Sequence, residues 1–196
     1  MPKTKLLAIA ICTALLAGCT TVPVSQAPVA DYRGTLDLAG RLSVNYQRNG
    51  QPESLSGKFT WRQTPDRIDV SLASPLGQTI ANISVTPDAA TLTQTDRTPR
   101  TARDIDTLTA QTLGWSLPVS GLRDWLQGYA TAAGGQRFTA SPANNSVQTA
   151  DGWQLNFVSW QDDAAARPVP KRIDAARSAS AGADELALRI VIDAPN

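Results

Sequence analysis

Between residues 67 and 85 the chain alternates apolar and polar positions on both sides of a short turn. This period of two is typical of half-buried β-strands, so the segment predicts a hairpin with Ser74-Pro75-Leu76-Gly77 at its tip. Pro75 presets φ and Gly77 tolerates a positive φ, as tight turns require. Leu76 is unusual there, because an exposed leucine forgoes about 1.5 to 3 kcal/mol of burial unless an apolar partner receives it. The positions that share one face of the hairpin are Ile68, Val70, Leu72, Thr79, Ala81, Ile83 and Val85.

Two longer strands are predicted before this hairpin and a shorter one after it. Alternation begins at Leu36, and Asn49-Gly50 is a strong signal for a tight turn between two strands. Thr64-Pro65-Asp66 turns the chain into the next hairpin, and residues 89–95 supply a fifth strand. Five successive strands with short turns predict an antiparallel meander. The apolar faces of the first two strands carry Leu36, Leu38, Gly40, Leu42, Val44 and Tyr46, then Leu55, Gly57, Phe59 and Trp61.

At Thr101 the period changes from two to that of a helix. The spacing predicts one helix that ends at Gly114 and a second that runs from near Ser120 to Gly128. Both are too short to be stable alone, so we expect them to lie on the sheet. Strand character returns in 136–140, 146–149, 153–160, 171–175 and 185–192. The predicted fold is therefore mostly β with α: an unclosed antiparallel β-barrel, or half-barrel, covered by short helices as a lid.

The first residues predict export and lipidation. Lys3 and Lys5 form a basic region before an apolar run, and Leu16-Ala17-Gly18-Cys19 resembles a bacterial lipobox. That resemblance implies cleavage before Cys19, a diacylglyceryl group on its sulfur and an acyl group on its amine. Thr20, in place of an aspartate, implies an outer-membrane address. A plain secretory signal peptide with an incidental cysteine is the alternative.

These features divide the chain into three parts. Residues 1–18 are predicted as the lipoprotein signal peptide, residues 19–34 as the lipidated cysteine and a flexible tether, and residues 35–196 as a single domain.

Composition argues against several classes of function. The chain has no histidine, which removes the usual general base and the commonest metal ligand. Without Lys3 and Lys5 the chain carries 16 basic and 17 acidic residues, a balance that gives no reason to expect nucleic acid. Asp162-Asp163 lies in a polar stretch, where a carboxylate pair is more often solvated than catalytic. We therefore expect neither catalysis nor a bound metal.

The large aromatic residues of the apolar faces fit a packed core and a hydrophobic cavity equally well. Periodicity places them on the inside and does not tell whether that inside is filled.

The segment Gly114–Gly128 resembles the signature of the LolB family, outer-membrane receptors that accept lipoproteins from a periplasmic carrier. The resemblance leaves the pairing of the last strand open, because aromatic residues are fewer there than the family suggests. The other matching pieces, in order, are Gly40-Arg41-Leu42, Phe59-Thr60-Trp61, Ser74-Pro75-Leu76-Gly77, Gly152-Trp153 to Trp160 and Pro168-Val169-Pro170.

The resemblance implies an unclosed β-barrel with a helical lid, a cavity for acyl chains and a protruding loop that helps insert lipoproteins into the inner leaflet of the outer membrane. Pro75, Leu76 and Gly77 correspond to the tip of that membrane-insertion loop. The residues expected to line the acyl-chain cavity are Leu42, Val44, Phe59, Trp61, Ile68, Val70, Leu72, Leu122, Trp125, Leu126, Trp153 and Phe157.

The implied partners are a LolA-like periplasmic carrier, a triacylated lipoprotein cargo and the inner leaflet of the outer membrane. The domain is expected to be a monomer on the periplasmic face, with no cofactor apart from the covalent lipid on Cys19. Two other classes remain: an envelope scaffold or assembly lipoprotein in which Leu76 fills a partner's pocket, and a hydrolase that uses carboxylates alone. The second would require two acidic residues facing into the barrel, and the inward positions are apolar.

Overall fold

The computed structural model describes residues 24–48, 50–115, 117–179 and 185–194. The predicted signal peptide and Cys19 lie outside the described residues. Among the described residues, no helix combines the length and the apolar character that crossing a membrane requires.

The described chain contains twelve strands and two helices. They are β1 (Leu36–Arg48), β2 (Gln51–Thr64), β3 (Arg67–Ala73), β4 (Thr79–Val85), β5 (Ala90–Thr93), β6 (Arg100–Ala102), α1 (Ile105–Leu113), α2 (Val119–Trp125), β7 (Tyr129–Thr131), β8 (Arg137–Thr139), β9 (Ser146–Gln148), β10 (Gln154–Trp160), β11 (Pro170–Arg177) and β12 (Leu186–Ile192).

Ten of these strands form one antiparallel sheet in the order β6-β5-β4-β3-β2-β1-β12-β11-β10-β9. Its edge strands β6 and β9 do not pair with each other in the described chain, so the sheet is not closed. Both edges have only three residues, which limits the exposed backbone that could pair with another chain. The mostly β, unclosed architecture with short helices predicted from the sequence is confirmed.

The sheet consists of two meanders that meet where β1 pairs with β12. Gly40 lies opposite Ile192, and Tyr46 lies opposite Leu186. The last strand also pairs with β11 on its other side, so it is a central strand. This settles the pairing that the family resemblance left open.

Alternation along each strand separates an apolar inner face from a polar outer face. In β2, every second residue from Gly57 to Gln63 is buried and the intervening ones are exposed. The inner faces of the sheet and the buried sides of α1 and α2 form one hydrophobic core. Trp125 of α2 contacts Trp153 edge to face, with ring centroids 5.6 Å apart.

The sequence predicts five strands before the first helix and none between Gly128 and Gln136. The structure adds β6 before α1, and β7 immediately after Gly128, paired with β8 in a separate two-stranded sheet. Each added strand has three residues, which is too short for a period of two to be visible in the sequence.

The segment predicted as a flexible tether is bound to the domain over residues 25–33. Val29 donates a backbone hydrogen bond to Ala140 O (3.0 Å), and the Val29 side chain is 2% exposed. The Gln127 side chain accepts a hydrogen bond from Arg33 N (2.9 Å) and donates one to Arg33 O (3.2 Å). Over these residues the structure differs from the prediction, because backbone hydrogen bonds and one buried valine fix a segment whose composition resembles that of a linker.

Gly40 allows a close approach between β1 and β12, where the two meanders meet. A Cβ atom at this position would lie 2.3 Å from Val191 O and 2.7 Å from Cε1 of Phe59. We therefore expect Gly40→Ala to lower the free energy of unfolding by about 1 to 3 kcal/mol, measured by urea titration. Ala39→Ser, on the exposed neighbouring position, serves as the control and should change stability by less than about 0.5 kcal/mol. Equal stability of Gly40→Ala and the wild type would contradict this packing.

Candidate functional site

An apolar cavity lies between the inner face of the sheet and the helical cover. The sheet lines it with Leu42, Phe59 and Leu188, and α2 contributes Leu122. Its volume is about 20 Å³, which is room for roughly one water molecule. The described residues that line it are all apolar: Leu42, Phe59, Trp61, Val70, Leu72, Leu117, Leu122, Leu126, Leu188 and Ile190.

Seven of the twelve residues expected at an acyl-chain cavity line this space: Leu42, Phe59, Trp61, Val70, Leu72, Leu122 and Leu126. The structure places the other five in the surrounding buried core: Val44, Ile68, Trp125, Trp153 and Phe157. The twelve residues predicted from the sequence do not include Leu117, Leu188 and Ile190, which also line the cavity. The alternation of β12 could have indicated Leu188 and Ile190, because it predicts an apolar face for that strand.

A polar network ends the apolar interior on one side. Gln63 is completely buried two positions along β2 from Trp61, and its side-chain oxygen accepts a hydrogen bond from Trp61 Nε1 (3.2 Å). Gln63 Nε2 donates to the hydroxyl of Tyr32 (3.2 Å), which also accepts from Arg123 Nε (3.3 Å). These bonds join β2, the bound N-terminal segment and α2, so the buried amide is satisfied and one end of α2 is held.

Polar side chains also attach the two helices of the cover to each other. Asp106 in the first turn of α1 accepts hydrogen bonds from the backbone N–H and the hydroxyl of Ser120 in α2. The buried hydroxyl of Thr109 accepts from Leu117 N (3.1 Å) and donates to Asp106 O (2.9 Å). The cover is therefore held together by an exposed pair of hydrogen bonds between Asp106 and Ser120 and by buried hydrogen bonds of Thr109.

The two carboxylates at the start of α1 have opposite pKa shifts. Burial raises the pKa of the Asp106 carboxyl above its ordinary value, and the hydrogen bonds from Ser120 only partly offset this. Asp104 is the N-cap of α1, and the hydrogen bond from the Thr107 hydroxyl is the first cause of its lowered pKa.

The hairpin between β3 and β4 presents Leu76 to solvent. The Leu76 side chain is 92% exposed, so its own domain does not cover it. The turn is fixed beneath it: Gly77 N donates to Ser74 O (2.9 Å), Ser74 N donates to Gln78 O (2.8 Å), and Gly77 has φ of 89°. A leucine is thus held outward on a hydrogen-bonded turn.

Fold and cavity together define a half-barrel with an apolar interior under a helical cover. The family model described as "Outer membrane lipoprotein LolB" matches residues 35–194. Outer-membrane lipoprotein LolB of Cupriavidus necator is 41% identical over 91% of this chain and 90% of its own length. The protein of the same name from Ralstonia nicotianae is 37% identical over 95% of this chain and 94% of its own length. Among solved structures, a LolA superfamily protein from Nitrosomonas europaea superposes with a TM-score of 0.46 at 7% identity, over 81% of this chain and 84% of that one.

The chain belongs to the LolB family, since the family model covers almost the whole described domain. The sequence resemblance to that family is therefore confirmed.

The raised pKa of Asp106 gives a pH-dependent stability. Between its ordinary value of 3.8 and the raised value, the unfolded chain releases the proton before the folded chain does. The contribution of Asp106 to the free energy of unfolding therefore falls as the pH rises through this interval. Asp106→Asn keeps an acceptor oxygen and removes the charge, so its stability relative to the wild type should rise with pH, measured by urea unfolding.

Asp104→Asn is the matched comparison, because the pKa of Asp104 is lowered. Its stability relative to the wild type should fall as the pH rises through the interval just below 3.8. Parallel pH dependence of the two variants would show that the opposite environments assigned to these carboxyls are incorrect.

Proposed function

We propose that this outer-membrane lipoprotein accepts acylated lipoproteins from a LolA-like periplasmic carrier and inserts them into the inner leaflet of the outer membrane. The observation that carries the proposal is the cavity lined by apolar side chains alone, beneath a cover made of two short helices. Membership of the LolB family supports the same assignment.

The physical need for such a cavity follows from the cargo. Each acyl methylene contributes about 0.8 kcal/mol when it leaves water, so three chains crossing free water would face tens of kcal/mol. Chains that pass between apolar interiors avoid most of that barrier. No catalytic step is needed, because transfer from a weaker to a stronger binding site and then to the bilayer is downhill.

The cavity has to enlarge before it receives an acyl chain. Its volume of about 20 Å³ accommodates about one water molecule, far less than a single chain needs. The sheet is held by continuous ladders of hydrogen bonds, whereas α1 and α2 have nine and seven residues and are held to the sheet mainly by apolar contacts. Displacement of this cover is the change that opens the cavity without breaking the sheet.

Leu76 supplies the contact with the membrane. Its exposed side chain gains about 1.5 to 3 kcal/mol on entering an apolar phase, and the closed turn keeps it extended at little further entropic cost. Entry of Leu76 between acyl chains of the leaflet brings the domain to the bilayer at the moment of release. The lipid on Cys19 would keep the monomeric domain on the periplasmic face of the membrane between deliveries.

The cavity predicts stoichiometric uptake of an acylated ligand. The full chain with Cys19→Ala should bind an acylated peptide or a hydrophobic dye at one site, followed by fluorescence. Leu188→Trp fills the cavity and should weaken binding about tenfold, whereas Ala187→Trp, on the outer face of the same strand, should leave it unchanged. Absence of binding in the unsubstituted chain would overturn the receptor function in favour of a structural one.

Leu76→Glu should separate acceptance of cargo from its release. The variant should fold and take cargo from the carrier normally, because Leu76 is almost fully exposed and its replacement leaves the core unchanged. Insertion of a radiolabelled lipoprotein into liposomes should slow by about tenfold or more, since the leucine no longer gains from burial. Val158→Glu, at another exposed apolar position, is the control and should insert cargo at the wild-type rate. Unchanged insertion by Leu76→Glu would contradict the role of the loop, and loss of acceptance would favour a scaffold whose partner binds Leu76.

A further inference from the structure

Arg177 places a positive charge at the end of the apolar inner face. It lies opposite Leu186 in the pairing of β11 with β12. It is two positions after Ala175 and four after Ile173, both buried, so it shares the inner side of β11 with them. The cavity-lining residue Leu188 is two positions from Leu186 on β12, about 7 Å along the strand. An arginine side chain is long enough to span that distance.

The guanidinium of Arg177 is only partly satisfied. Its central carbon lies 4.8 Å from the ring centre of Trp153, a cation–π contact with a tryptophan that is 1% exposed. The Nε atom is buried without a hydrogen-bond partner among the described residues, and no carboxylate there forms an ion pair with Arg177. A buried charged donor without an acceptor is costly and calls for an explanation.

The cover of the cavity meets the same tryptophan. Trp125 of α2 contacts Trp153 edge to face while Arg177 lies over its ring. Displacement of α2 removes Trp125 from Trp153, so the step that opens the cavity also uncovers the surroundings of the unpaired donor. Arg177 therefore borders the part of the interior that this displacement exposes, on the same inner face as the cavity-lining Leu188.

We propose that Arg177 is a specificity-determining residue that donates a hydrogen bond from Nε to the ester carbonyl at the head of a bound acyl chain. This inference rests on the proposed function, because it requires the cavity to hold acyl chains. An ester carbonyl supplies an acceptor oxygen at the junction of acyl chain and head group. It is also neutral, so burying it beside the apolar lining costs less than burying a phosphate or a carboxylate.

The test compares two lipids that differ only in that carbonyl: monopalmitoylglycerol and the hexadecyl ether of glycerol. Their affinities for the full chain with Cys19→Ala are measured by displacement of a bound fluorescent dye. The unsubstituted chain should bind the ester roughly tenfold more tightly than the ether, the usual effect of a hydrogen bond to a charged donor. Arg177→Met should abolish that preference and leave binding of the ether unchanged, which also shows that the variant folds.

Two further variants keep the test decisive. Lys171→Gln removes one positive charge from an exposed position of the same strand and should retain the tenfold preference. Arg177→Lys keeps the charge and loses the Nε donor, so its preference for the ester over the ether should be smaller than that of the wild type. This variant tests the proposal even if Arg177→Met does not fold.

The outcomes separate the two proposals. Equal binding of both lipids by the unsubstituted chain, or an ester preference that persists in Arg177→Met, would overturn the role of Arg177 alone. Failure of the unsubstituted chain to bind either lipid would overturn the proposed function, and this inference with it.

Discussion

The large sheet does not close, so its apolar inner face needs a cover from outside that sheet, and the rest of this structure follows from that constraint. The edges β6 and β9 remain apart, so α1, α2 and the small β7–β8 sheet shield the interior. Helices of nine and seven residues are not stable in isolation and persist only while they contact the sheet. Sheet and cover therefore stabilise each other mainly through apolar contact, with Arg123 adding hydrogen bonds to residues at the end of β2. The cover is the part of the core that can leave without breaking a β-ladder.

The sequence predicts the long elements of this fold well, because alternation over seven or more residues is a strong signal. It predicts both helices near their observed positions, since Gly114 ends the first in a left-handed conformation and Gly128 follows the second with a positive φ. Three-residue strands such as β6 and β7 carry too little periodicity to be recognised. The docking of residues 25–33 depends on backbone hydrogen bonds, which side-chain composition does not reveal.

The cavity shows a different limit of sequence analysis. Alternation tells which face of a strand a residue occupies and not how far along the interior it lies. Val44 and Leu42 share a face, yet only Leu42 reaches the cavity. Buried polar groups at the two ends of the interior differ in their hydrogen bonding. The Gln63 side chain is hydrogen-bonded at both its oxygen and its nitrogen, whereas Arg177 Nε is buried without a partner among the described residues. A satisfied hydrogen-bond network makes one structure rigid, whereas a buried donor without a partner marks a place where a ligand can supply the acceptor.

The pairing of β1 with β12 also determines when the fold can be completed. Neighbouring hairpins such as β2–β3 and β3–β4 involve residues that are close in sequence, and they can form as the chain emerges. The pairing that joins the two meanders brings Gly40 opposite Ile192, so it cannot form before β12 is available. Until then the first meander exposes its apolar face, which makes the partly folded chain prone to aggregation. Loss of β12 would accordingly remove a central strand, and the large sheet would be divided into two parts that no backbone hydrogen bonds join.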